Sequence, residues 1–184
     1  MLGMYLGDGH IVVGRRGVQS LSVVGDDGWP GILDEVKAAM GGLLGGAVCR
    51  VRRIGCTEVK SYSKHWTCLF PQHGPGMKHT RAIRLEPWQQ RIVEAHPAPF
   101  LQGPFHADGC RATNRVRARR SDGTVTEYAY PRWFLANTSE DILRLAEDAL
   151  DLLRIAHRRN RPTSLSVARR EAVAALDAAI GPKN

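Results

Sequence analysis

Leu101-Gln-Gly-Pro-Phe-His-Ala-Asp-Gly109 repeats the spacing of the stretch that opens the chain, Met1-Leu-Gly-Met-Tyr-Leu-Gly-Asp-Gly9. In both, the third position is Gly (Gly3, Gly103), the seventh small (Gly7, Ala107), the eighth Asp (Asp8, Asp108) and the ninth Gly (Gly9, Gly109). Positions three and seven lie four apart, on one face of a helix. Small residues there let another helix approach backbone to backbone, and the natural partner is the other copy. A glycine after the aspartate reads as a left-handed helix terminator, with the Asp in the final turn. Two such helices packed in parallel bring Asp8 and Asp108 together at one end.

The paired stretches, each followed by the same kind of sequence, resemble the LAGLIDADG family of homing endonucleases in its single-chain form. The second copy matches that signature at five of nine positions; the first matches at Gly3, Asp8 and Gly9, with Gly7 small for small. The resemblance covers nearly the whole chain. It implies that Asp8 and Asp108 bind the divalent metals that cut DNA, helped by the backbone carbonyls of Gly7 and Ala107. It also implies Mg²⁺ as cofactor, with Mn²⁺ supporting cleavage and Ca²⁺ binding without it, and an association with intron or intein mobility. Basic or polar residues around the acids are then expected to order the attacking waters.

Composition bounds the rest. A chain of 184 residues with 43% hydrophobic content can bury a sizeable core, as one domain or as two packed halves. Its 26 basic and 18 acidic residues leave a net charge of +8, which favours a polyanionic partner. Cys49, Cys56, Cys68 and Cys110 lack the close pairing of a zinc site and read as free thiols. No apolar run reaches membrane-spanning length and no signal peptide precedes the first motif, so a reducing, cytoplasmic setting is expected, on the nucleoid when DNA is bound.

Along the chain, residues 2–8 form the first motif helix. His10–Val13 and Val18–Val24 read as a hairpin turned at Gly14–Gly17, and Gly31–Met40 as a helix with Ile32, Leu33, Val36 and Met40 on its apolar face. Gly41-Gly42 and Gly45-Gly46 read as breaks. Strands follow at 47–53 and 58–63, with Trp66–Phe70 a candidate third, then a helix over 85–95 carrying Trp88, Ile92 and Val93. His96-Pro-Ala-Pro99 reads as a linker, dividing the chain into repeats 1–95 and 96–184. In the second repeat, strands at 110–120 and 124–136 form a hairpin, a helix starts near Asn137-Thr-Ser-Glu140 and runs to Leu153, and strands at 155–159 and 163–167 precede a last helix at 169–180. Each half is α-β-β-α-β-β-α. The expected fold is α+β, with two saddle-shaped antiparallel sheets related by a pseudo-twofold along the paired motif helices. Pro104 departs from the pattern: inside a helix it costs about 3 kcal/mol unless the helix starts late or kinks there.

In Arg111-Ala-Thr-Asn-Arg-Val-Arg-Ala-Arg-Arg120, strand alternation puts Arg111, Thr113, Arg115, Arg117 and Arg119 on one face. Four arginines there cannot be core, so the face is either a solvated surface or one that lies in the major groove of double-stranded DNA. The first repeat offers Arg15, Arg16, Gln19 and Ser20 with Arg50, Arg52 and Arg53, and Arg158, Arg159 and Arg161 extend the patch. Lys78, with Arg84 behind it, is the candidate for ordering water in the first half, and Arg169 or Arg170 in the second. His106, two residues before Asp108, points away from it on a helix and reads as a helix-surface or interface residue. His10 faces either DNA or core. These expectations point to a monomeric, site-specific endonuclease acting on an asymmetric DNA target. The alternative is a regulator or maturase-like protein that keeps the fold without cleavage; retention of both Asp8 and Asp108 favours the nuclease, because two acids beside phosphates serve no purpose in binding alone.

Overall fold

The computed structural model describes residues 1–183. The first repeat comprises α1 (Leu2–Gly7), β1 (Gly9–Val13), β2 (Gln19–Asp26), α2 (Pro30–Leu44), β3 (Val48–Arg53), β4 (Cys56–Ser63), α3 (Trp66–Leu69) and α4 (Pro87–Ala95). The second comprises α5 (Pro97–Ala107), β5 (Gly109–Arg119), β6 (Val125–Ala136), α6 (Glu140–Leu152), β7 (Arg158–Arg161), β8 (Ser164–Val167) and α7 (Arg170–Ile180). Each repeat builds one four-stranded antiparallel sheet, and the orders β1-β2-β4-β3 and β5-β6-β8-β7 are the same. Registers correspond too: Gly9 pairs with Val23 as Gly109 pairs with Leu135. The expected α+β double repeat is present.

Local readings differ from this in three places. Trp66–Phe70 is a turn of helix rather than a strand, because Trp66 and Phe70, four apart, both pack inward. Phe70 stacks on Tyr5 with ring centroids 4.5 Å apart, and the Trp66 indole donates to the Ser61 carbonyl at 3.2 Å. Helix α2 runs through Gly41 and Gly42, since Leu33, Val36 and Met40 anchor it on the sheet, and stops at Gly45, whose φ of 64° is the left-handed cap. The stretch read as a linker is instead the start of α5, with Pro97 at the first helical position, where its missing N–H costs nothing.

α1 and α5 meet backbone to backbone. A Cβ on Gly3 would overlap the Phe100 carbonyl and sit 2.8 Å from Cδ of Pro104; one on Gly103 would overlap the backbone of Gly3 and Met4; and one on Gly7 would overlap the Ala107 methyl. Pro104 fits for the same reason. Residue 104 gives the Phe100 carbonyl no amide to bond, that oxygen lies over Gly3, and the helix continues without a break to Ala107. Gly9 and Gly109 are glycines on different grounds from those expected: neither has positive φ. They start β1 and β5 so close to the preceding helix turn that a Cβ would collide with the backbone of Tyr5 or Phe105. A six-residue helix such as α1 is held by this packing rather than by its own propensity.

Candidate functional site

Asp8 and Asp108 are the C-caps of α1 and α5, with backbone angles of (−95°, −1°) and (−98°, −1°). Their amides donate to the carbonyls four residues back, Met4 at 3.0 Å and Pro104 at 2.9 Å. Pro104 therefore leaves Asp108 where the twofold puts it. Burial and the adjacent Asp108 charge push Asp8 up to about 6, against the opposing pull of Lys78 and Lys183. Burial also raises Asp108, offset by a hydrogen bond from Asn137 Nδ2 to Oδ2 at 2.8 Å and then by the two lysines.

Lys78 sits in the expected place. Its Nζ donates to the carbonyls of Tyr5 at 2.6 Å and Gly7 at 2.8 Å and lies 5.2 Å from the Tyr5 ring centroid. Burial pulls its ammonium down to about 8, although Asp8 and Asp108 both favour the charged form. Across the pseudo-twofold the matching cation is Lys183, which sequence reasoning missed: neither Arg169 nor Arg170 lies at the acids. Lys183 lies beyond the last helix, where no periodicity marks it. Its Nζ reaches the Gly109 carbonyl at 3.4 Å and lies 5.7 Å from the Trp29 ring centroid, and it lines a pocket with Asp8, His106 and Ala107. The corresponding pocket on the other side holds Lys78, Gly7, Asp108 and Asn137. His106 is buried between α5 and the chain after α7, with Nε2 3.4 Å from the Gly181 carbonyl.

The donor set suits a hard divalent cation. Two carboxylates with raised proton affinity converge at the ends of two helices, and with the adjacent Gly7 and Ala107 carbonyls they would offer a divalent cation such as Mg²⁺ an all-oxygen set of ligands. No group of three or more His, Cys, Asp or Glu side chains able to hold a metal occurs among the described residues. The Gly7 carbonyl already accepts from Lys78, so a metal there would share that oxygen.

Most of the anticipated basic contacts lie elsewhere than on the sheet faces turned away from the helices, here termed the open faces. Cross-strand partners share a face, and Gly109 and Arg111 pair with the buried Leu135 and Trp133. Arg111, Arg115, Arg117 and Arg119 therefore lie on the helix-bearing face of the second sheet. Arg111 is clamped on Asp177 of α7, with Nε 2.9 Å from Oδ1 and Nη2 2.8 Å from Oδ2, while Arg115 and Arg117 extend past the helices beside Glu127. Arg159 pairs with Leu165 and is bound by Glu147 and Glu140 of α6. In the first sheet, Arg50 and Arg52 pair with the inward Val59 and Thr57, and Arg50 bridges Asp34 at 2.5 Å. Gln19 is buried and exchanges hydrogen bonds with Thr67. Arg15 and Arg16 stand exposed at the β1–β2 tip. The open faces instead carry His10, Lys60 and Arg53 in the first repeat and Tyr130, Arg132 and Arg158 in the second.

Sequence comparison finds no family model and no curated protein that matches the chain. By structure it is similar to I-SmaMI, a LAGLIDADG homing endonuclease bound to cleaved DNA (TM-score 0.56, 12% identity, 98% of this chain and 81% of that one). It is similar also to the LAGLIDADG meganuclease I-AabMI bound to uncleaved DNA (TM-score 0.54, 12% identity, 97% and 80%) and to mesophilic variants of the homing endonuclease I-DmoI (TM-score 0.56, 12% identity, 98% and 88%). The duplicated sheets, the glycine-packed helix pair and these likenesses over nearly all its length lead to one conclusion: the chain has the fold of the LAGLIDADG homing endonucleases.

Proposed function

We propose that this chain is a homing-type, site-specific DNA endonuclease that acts inside the cell as a monomer and makes metal-dependent breaks in both strands of a long, asymmetric target. The observation that carries the reading is the pairing of Asp8 and Asp108 at the ends of two abutting helices, with Lys78 on one side and Lys183 on the other. Mg²⁺ held by the two carboxylates and the carbonyls of Gly7 and Ala107 would activate water, neutralise phosphate charge and stabilise the leaving oxygen, and Mn²⁺ would serve as well. The protein's own groups do the rest. Asn137 orients Asp108; Lys78, close to its proton-exchange point at neutral pH, holds or releases a proton beside the attacked phosphate; Lys183 adds positive charge on the opposite side. The neighbours bound to DNA and the +8 charge support duplex DNA as the partner.

The test starts by incubating the protein with a randomised plasmid library in Mg²⁺ and sequencing the ends produced. A recurrent cut site is expected. On that site Asp8→Asn and Asp108→Asn should lower cleavage by orders of magnitude while binding in Ca²⁺ persists. A wild-type protein that binds its selected site but never cuts it in Mg²⁺ or Mn²⁺ is instead the DNA-binding regulator or maturase-like protein.

A further inference from the structure

Glu58 lies on the open face of the first sheet, between Thr57 and Val59, which point to the helices, yet its side chain is only 4% exposed. A carboxylate enclosed in a face otherwise turned to solvent is costly unless both oxygens are satisfied. Here they are: Oε2 accepts from Arg53 Nη2 at 2.8 Å, Oε1 meets Lys60 Nζ at 2.9 Å, and the buried Ser22 also donates. Bonds from Lys60, Arg53 and Ser22 hold the carboxyl down to about 2. Glu58 is too enclosed to touch a ligand, but Arg53 keeps 59% of its side chain in solvent and Lys60 keeps 22%. In the second sheet the corresponding ladder positions are Ser164 and Ser166, so this anionic hub exists on one side only.

We propose that Glu58 is a positioning residue for DNA sequence specificity: it locks Arg53 and Lys60 into one donor array that reads a short block of adjacent base pairs in one half of the target. Arginine and lysine select guanine through its O6 and N7 acceptors, and side chains already held in place lose less freedom on binding. Cancelling one of the two positive charges also weakens attraction to phosphates of any sequence, so the pair discriminates more than it adheres. This rests on the DNA-reading function proposed above.

The experiment is binding-site selection from randomised duplexes in Ca²⁺ with the wild type, E58Q, R53A and K60A, together with affinity for random-sequence duplex across salt concentrations. E58Q should lose base preference over one block of about three base pairs while the rest of the motif is kept, and R53A and K60A should lose it over the same block. Affinity of E58Q for random duplex should rise, with a salt slope steeper by about one. A merely structural Glu58 would weaken every position alike. An E58Q motif that matches the wild type, or arginine and lysine variants that alter different blocks, overturns the proposal. If E58Q does not fold, the coincidence of the R53A and K60A blocks decides. A wild type that selects no motif at all overturns the DNA-reading function itself.

Discussion

Asn137 donates a 2.8 Å hydrogen bond from Nδ2 to Oδ2 of Asp108, whereas the corresponding ladder position in the first sheet is Gly25, which has no side chain to offer Asp8. Asn137 is itself fixed, because its Oδ1 accepts from the Ser139 amide at 2.8 Å. The two acids are therefore held unequally. Partners of metal-ligating groups are typically worth about 10- to 100-fold in affinity or activity. Asn137→Ala is expected to slow cleavage of one strand about 10-fold and spare the other, so that nicked plasmid accumulates with the same strand always intact. Equal slowing of both strands, read by sequencing the nicks, would remove the asymmetry.

Lys78→Met should slow cleavage about 100-fold or more while leaving binding in Ca²⁺ within several-fold of the wild type. Lys183→Met should act in the same direction. Because the Lys78 ammonium titrates near 8, the wild-type rate profile should bend there, and the bend should vanish in Lys78→Met. Persistence of the bend in that variant would assign it to another group.

Metal-free stability gives an independent reading of the acid pair. Asp8 is raised from 3.8 to about 6, so the folded protein holds this proton more tightly than the unfolded chain. That contribution is present at low pH, is lost as pH rises from about 4 to 6, and leaves a cost above that range. Asp8→Asn should therefore stabilise the metal-free protein at pH 7.5 by about 1 kcal/mol, less than the full shift would imply because the carboxylate, though lined by protein, keeps part of its surface in water. At pH 4 the gain should disappear. Urea unfolding at both pH values in the presence of a chelator checks the sign.

Two glycine substitutions should move stability in opposite directions. Gly103→Ala puts a methyl into the backbone of α1 and should cost about 3 kcal/mol or prevent folding. Gly42→Ala, inside α2 with nothing within 4 Å of the added carbon, should stabilise by about 0.5–1 kcal/mol through helix propensity. Thermal unfolding of the two variants is the measurement.

From the sequence alone, the nine-residue spacing repeated at Gly3 and Gly103 specified the architecture, because only glycine lets two helix backbones touch and only a duplicated motif supplies the partner. The same spacing located Asp8 and Asp108, since a helix end is determined by neighbours in the chain. Strand alternation likewise determined that Arg111, Arg115, Arg117 and Arg119 share a face. It could not say which face: a period of two is unchanged when a strand is turned over, and only the pairing of Arg111 with the buried Trp133 decides it. Lys183 and Asn137 were beyond sequence reasoning for a related reason. One follows the last helix and the other follows a strand, where no periodicity constrains direction; Asn137 meets Asp108 within the second repeat through the pairing of β5 with β6, and Lys183 comes beside Asp8 of the first repeat through the fold of the chain after α7. Glu58 is the sharpest case, since an acidic residue in a strand reads as solvated surface until the register brings Arg53, Lys60 and Ser22 around it.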